Sequence, residues 1–164
     1  MVDLNFDDSR VLFTPICLYT EHINLQFADY LKNHYKEITP RDFTYLSNIF
    51  YHQNISQKEL SELLFVSESN VAQIIKRLER NNLIIRRVDE NNKRRKIINL
   101  TELGRSITLS LLKEIYEFET DFFKDYSPEE TELFKKMLYG YYFKAIEIIW
   151  YFFYGNIYIL KNLI

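Results

Sequence analysis

Six polar side chains, Ser69, Asn70, Gln73, Lys76, Arg77 and Arg80, fall at helical spacing after Ser67, and Val71, Ile74, Ile75 and Leu78 fill the opposite side at i, i+3, i+4 and i+7. A helix built this way turns its apolar stripe inward and shows amides and cations outside. Asn and Gln can pair bidentately with adenine, Arg and Lys with guanine, and the cations further along can neutralise phosphate. Alone, such a face is an ordinary solvated helix surface. The downstream segment makes it more than that, because Lys93, Arg94, Arg95 and Lys96 cluster there, where a cationic hairpin can reach an adjacent minor groove.

The elements that must position these groups are marked in the chain. Thr39-Pro40-Arg41-Asp42, Ser56-Gln57-Lys58-Glu59 and Ser127-Pro128-Glu129-Glu130 each place a hydroxyl three residues before a carboxylate, the signature of a capping box. The pattern predicts helices over Arg10–Lys36, Pro40–His52 and Gln57–Leu64, then one capped by Ser67 and ended near Asn81-Asn82, where Asn accepts the left-handed conformation. Ile84–Val88 and Lys96–Leu100 are short and β-branched about the turn-prone Asp89–Arg95, a hairpin. Thr101 then caps a helix to about Tyr126, and Ser127 one to about Tyr154. The fold class is mainly α with a small β-hairpin wing. Residues 1–164 read as a single domain, with a winged helix-turn-helix lobe at 38–100 and helical regions at 1–37 and 101–164 that supply dimerisation.

Charge and aromatic residues are separated along the chain. The net charge is −2, yet Lys76 to Lys96 carries nine cations against three acids. A basic patch on an acidic body is the footprint of a face that meets phosphates. Of 27 aromatic residues only Phe65 lies between Ser56 and Ser110. The flanks, with Tyr116, Phe118, Phe122, Phe123, Tyr139, Tyr141, Tyr142, Phe143 and Trp150 to Tyr154, hold more apolar surface than a lone helical subunit hides, which points to a dimer core. An aromatic ligand pocket beside it is the lesser alternative. No run reaches the roughly 20 apolar residues of a membrane span, no leader-like start is present, and the one cysteine fits a reducing cytoplasm.

Over nearly its whole length the sequence resembles the MarR family of winged helix-turn-helix regulators. The resemblance rests on Ile55-Ser-Gln-Lys-Glu-Leu-Ser-Glu-Leu-Leu-Phe-Val-Ser67, on Asn70 through Ile84, and on the wing into Leu100-Thr101-Glu-Leu-Gly104. It implies a transcriptional regulator, a homodimer with two recognition helices on a palindromic operator in double-stranded DNA, and repression relieved by a small ligand or oxidant. The DNA-contacting set is then Ser67, Ser69, Asn70, Gln73, Lys76 and Arg77 on the helix and Lys93, Arg94 and Arg95 on the wing. The family's wing reads Asp-Arg-Arg where this chain has Asn92-Lys93-Arg94, so the minor-groove Arg corresponds to Arg94 and an acidic anchor is missing. Asp89, paired with Arg86 or Arg87, is expected to support the hairpin instead. Asn82 stands where a Gly is usual.

Cys17 falls where the peroxide-sensing branch carries a reactive thiol; a buried structural cysteine is the plainer reading. His22, His34 and His52 form no ligand pair, so no metal or cofactor is assigned. There is no Gly-rich phosphate loop, nucleophile elbow or paired carboxylates, which argues against an enzyme. The rival is a winged-helix module that binds protein partners and not DNA.

Overall fold

Capping chemistry starts most of the helices of this computed structural model, which describes residues 13–36 and 38–154, with side chains to residue 148. In chain order the elements are α1 (Ile16–His34), α2 (Pro40–Tyr51), β1 (Ile55–Ser56), α3 (Gln57–Leu63), α4 (Glu68–Arg80), β2 (Ile84–Val88), β3 (Lys96–Leu100), α5 (Glu102–Phe123) and α6 (Pro128–Tyr154). Thr39, Ser56 and Ser127 each accept from the backbone N–H three residues on, while Asp42, Glu59 and Glu130 reach back to the cap's own N–H. The expected first helix is interrupted at Thr14 and Pro15: Phe13 is helical, and α1 begins at Ile16. Pro15 is its N-cap, with no side-chain cap bond, because proline has neither an N–H nor a side-chain oxygen and biases the residue before it away from the helical region. Residues 10–12 lie outside the described residues.

Close packing divides the chain into two units, Met1–Leu112 and Lys113–Ile164. In the first, Val71, Ile75 and Leu78 of α4 are fully buried and Ile74 nearly so, packed with Leu46 and Ile49 of α2, Leu60 of α3 and Ile98 of β3. Burying such side chains contributes about 1.5–3 kcal/mol each. The sheet has the order β1-β3-β2. The hairpin has the expected limits, with Ile84 opposite Leu100 and Val88 opposite Lys96. A two-residue strand was not foreseen: Ile55 pairs with Ile98 and Ser56 with Ile97, tying the start of α3 to the wing.

Two helix ends use left-handed residues. Asn82 has φ 56°, with Asn82 N–H donating to Glu79 O at 3.0 Å and Leu83 N–H to Leu78 O at 2.9 Å. Phe65 has φ 53°, and Phe65 and Val66 donate to Glu62 O and Ser61 O. Both are six-to-one closures that satisfy orphan carbonyls. The Asn82 turn then receives α5: Thr101 N–H donates to Leu83 O at 3.0 Å, Thr101 Oγ1 donates to Asn82 O at 2.6 Å, and Gly104 N–H donates to Thr101 Oγ1 at 3.0 Å.

Among the described residues no helix is long and apolar enough to cross a membrane. In the second unit α5 and α6 bury no described side chain from Lys113 to Ile148.

The approach of α5 to the Asn82 turn depends on Gly104. A Cβ at that position would stand 1.9 Å from the Leu83 carbonyl oxygen, a backbone atom that cannot rotate away. We expect Gly104→Ala to destabilise the protein by about 3 kcal/mol, the upper range for overpacking, read as a lower urea midpoint; an unchanged midpoint would refute the close-approach account.

Candidate nucleic-acid interface

The helix-turn-helix consists of α3, the turn through Phe65 and Ser67, and α4. Ser67 Oγ accepts from Asn70 N–H at 3.3 Å and lies 3.0 Å from Ser69 Oγ. Gln57 Nε2 donates to Glu68 O at 3.2 Å, which fixes the start of α4 against the start of α3. Ser67, Ser69, Gln73 and Lys76 are exposed, whereas Asn70 and Arg77 are half-buried and held by residues of α2.

Spacing alone puts Arg77 among the outward readers; the structure turns its guanidinium onto Asp42. Arg77 Nε donates to Asp42 Oδ1 at 3.1 Å and Nη2 contacts the same oxygen. The other carboxylate oxygen accepts from Thr39 N–H at 3.0 Å and Thr39 Oγ1 at 2.7 Å. Asp42 is 1% exposed. One carboxylate therefore closes the capping box of α2 and anchors the recognition helix. Arg77 is the countercharge that makes its burial tolerable.

The wing is braced by a second arginine. Arg95 Nη1 donates to Asp89 Oδ2 at 2.8 Å, and Arg95 Nη2 donates to Glu59 at 2.9 and 2.7 Å and to Asn54 O at 3.1 Å. Arg95 thus joins the hairpin turn, the N-terminus of α3 and the turn before β1. The expected partners of Asp89 are corrected: it pairs with neither Arg86 nor Arg87. Asp89 N–H donates to Arg95 O, so Arg95 is its cross-strand neighbour. Arg86 instead reaches Glu79 on α4, with Nε 3.2 Å from Oε1. Asn92, where the acidic anchor is missing, closes the turn as an amide, accepting from Arg94 N–H at 3.1 Å.

These contacts set the electrostatics. The Ser56 N–H and then the Arg95 guanidinium hold the Glu59 carboxyl down at about 2, below its ordinary 4.5. Arg95 and the Asn91 N–H lower that of Asp89, and Arg86 lowers that of Glu79. The basic segment therefore splits. Arg77, Arg86 and Arg95 are struts, whereas Lys76, Arg80, Arg87, Lys93 and Arg94 are exposed and in no ion pair among the described residues. Two of the partners, Glu79 and Asn54, had no local signal in the sequence; Asp42 and Glu59 were visible only as capping residues.

Away from this face, Cys17 is exposed on α1, so the buried reading is corrected. Cys17 lies among exposed apolar side chains, Ile16, Leu18 and Tyr19, on a helix that buries only Leu31. Among the described residues no three His, Cys, Asp or Glu side chains gather as a metal site would need.

The wing brace has a pH signature. A carboxyl depressed from 4.5 to about 2 in the folded state adds stability that is fully present above pH 4.5 and is lost as pH falls toward 2. The urea midpoint of the wild type is expected to drop across that window more than that of Glu59→Gln, and parallel acid limbs for the two proteins would count against the brace.

The MarR family model matches residues 38–96, the span from the start of α2 into β3. An HTH-type transcriptional regulator of Bacillus cereus is 31% identical over 129 residues, covering 79% of this chain and 82% of that one. The HTH-type transcriptional regulator SarZ of Staphylococcus epidermidis is 30% identical over 88 residues, 54% of this chain and 58% of that one. Among solved structures, the transcriptional regulator SlyA superposes with a TM-score of 0.70 at 26% identity, over 85% of this chain and 99% of its own. The FabT–DNA complex of Streptococcus pneumoniae has a TM-score of 0.72 at 19% identity over 81% of this chain and 94% of that one, a likeness of fold. With the helix-turn-helix and wing matched and the relatedness extending over most of both chains, this protein belongs to the MarR family of winged-helix transcriptional regulators.

Proposed function

We propose that the protein is a homodimeric repressor that lays α4 in the major groove and the wing tip in the adjacent minor groove of a palindromic operator. The observation that carries this is the division of the basic segment: three arginines hold the helix and wing in place, and the remaining cations of that segment stand exposed and outside any ion pair among the described residues, ready to neutralise phosphate. Ser67, Ser69, Asn70, Gln73 and Lys76 are the helix contacts, and Lys93 and Arg94 the wing contacts. The fold likeness to FabT, solved in complex with DNA, supports the same reading.

Dimerisation is supported by the second unit. Its described side chains include Tyr116 at 59%, Phe118 at 70% and Tyr139 at 66% exposure, and none is buried. Helices with that much exposed aromatic surface need a partner to hide it. A twofold partner would set two recognition helices about 34–36 Å apart, one turn of DNA. Release is by a small ligand or by an oxidant, for which Cys17 is the single thiol of the chain.

The deciding experiment is a mobility-shift titration against the protein's own upstream DNA across a salt series. Affinity should fall steeply with salt, and Arg94→Ala should weaken binding by roughly tenfold while leaving the melting temperature unchanged. Arg77→Ala should lower the melting temperature first, because it strands a buried carboxylate at a cost of about 3 kcal/mol. A protein-docking module would show no duplex affinity at any salt. Equal affinity for wild type and Arg94→Ala would remove the wing from the reading.

A further inference from the structure

Asn70 is the third residue of α4, at the end of a recognition helix that faces base edges. Its carboxamide is not free to present either end. Arg41 Nη2, from the second residue of α2, donates to Asn70 Oδ1 at 2.8 Å. A guanidinium has five donors and no acceptor, so only the oxygen of the amide can face it. The carbonyl is thereby tied back to α2 and the NH2 group is left as the outward end.

The tether is itself well placed. Arg41 and Asp42 are adjacent at the start of α2, inside its capping box, and they hold Asn70 and Arg77, two turns apart on one face of α4. Together they fix both the roll of the recognition helix and the orientation of one of its readers. One turn along α2, burial raises the Tyr45 hydroxyl above its ordinary range, and Arg41 lies near enough to oppose that shift by charge and hydrogen bonding. Arg41 is thus close to the core as well as to Asn70.

We propose that Arg41 is a specificity-positioning residue, which makes the Arg41–Asn70 pair a donor-only reader matched to the acceptor-only edges of guanine (N7, O6) or thymine (O4) and disfavoured at adenine, where the N6 amino donor stands beside N7. Bidentate pairing of Asn with adenine needs the carbonyl to accept from the base N6 amino group. Here one lone pair of that carbonyl is occupied, and the other lies beside a guanidinium whose donors oppose a further donor. This inference rests on the DNA-reading proposed above.

The test is selection from a randomised duplex library with wild type, Arg41→Ala, Arg41→Lys, Asn70→Ala and the Arg41→Ala, Asn70→Ala pair. Wild type should enrich G or T at one position of each half-site. Arg41→Ala should shift that position toward A by roughly tenfold in relative preference, with the rest of the motif unchanged. Arg41→Lys, also a donor without an acceptor, should keep the wild-type base. Asn70→Ala should lose the preference, and the pair should match Asn70→Ala. A wild-type motif returned by Arg41→Ala, the same shift with Arg41→Lys, or a shift that persists without Asn70 would each overturn the role of Arg41 while leaving the DNA-reading intact. A wild type that binds duplex but enriches no motif would sink the DNA-reading first, and this inference with it.

Discussion

The direction of the wing tip depends on where Arg95 puts its two terminal nitrogens. A two-stranded hairpin is at best marginally stable by itself. β2 buries only Ile84, and β1 adds just two residues to the sheet. Ile98 of β3 anchors the base of the hairpin in the core, but no residue of the tip is buried, so apolar contact does not decide the direction in which the tip points. Arg95 does so by joining Asp89 on the hairpin to Glu59 on α3 and to the Asn54 carbonyl. Glu59 can serve because it is already fixed as the capping residue of α3, so little side-chain entropy is left to lose when the guanidinium arrives.

The ion pairs do different work according to burial. Exposed pairs are worth about 0–1 kcal/mol, so Arg86–Glu79 and Arg95–Glu59, both partly exposed, matter for geometry more than for stability. Asp42 is another matter, since its side chain is 2% exposed and its charge has no water to stabilise it. The Arg77 guanidinium and the Thr39 donors must do so. The same carboxylate starts α2 and anchors α4, which makes α2 the platform on which the recognition helix is oriented.

Features with a local cause were legible in the sequence. The three capping boxes, the α4 stripe, the Asn82 helix end and the limits of the hairpin come from neighbouring residues and appear as read. Features with a tertiary cause were not. β1 is two residues long and too short to show a period of two, so Ile55 and Ser56 read as the lead-in to a helix. Phe65 adopts φ 53° although nothing marks an aromatic residue for that conformation; the closure of α3 and its packing against the core override the local preference. The outward face of α4 was read as uniform because helical spacing assigns sides only. It cannot tell that α2 takes Arg77 for Asp42 and Asn70 for Arg41.

The contrast between the two units comes from the same partition of residues along the chain. The first unit has few aromatic residues in its basic segment, so its outward face can stay wet and charged, and its aliphatic stripes suffice to close a core. The second has many aromatic residues and, among those described, no buried side chain. Rings meet along the helices, Phe122 edge-on to Phe123 with centroids 4.8 Å apart and Tyr139 tilted against Phe143 at 4.6 Å, but neighbours on one helix or turn cannot remove each other's outer faces from water. Surface of this kind is stabilising only when a second surface covers it, which is the role the proposed dimer partner would fill. In the homodimer proposed above, reading heads joined in sequence to helices that complete their core only against a partner have the means to couple the spacing of those heads to whatever alters that core.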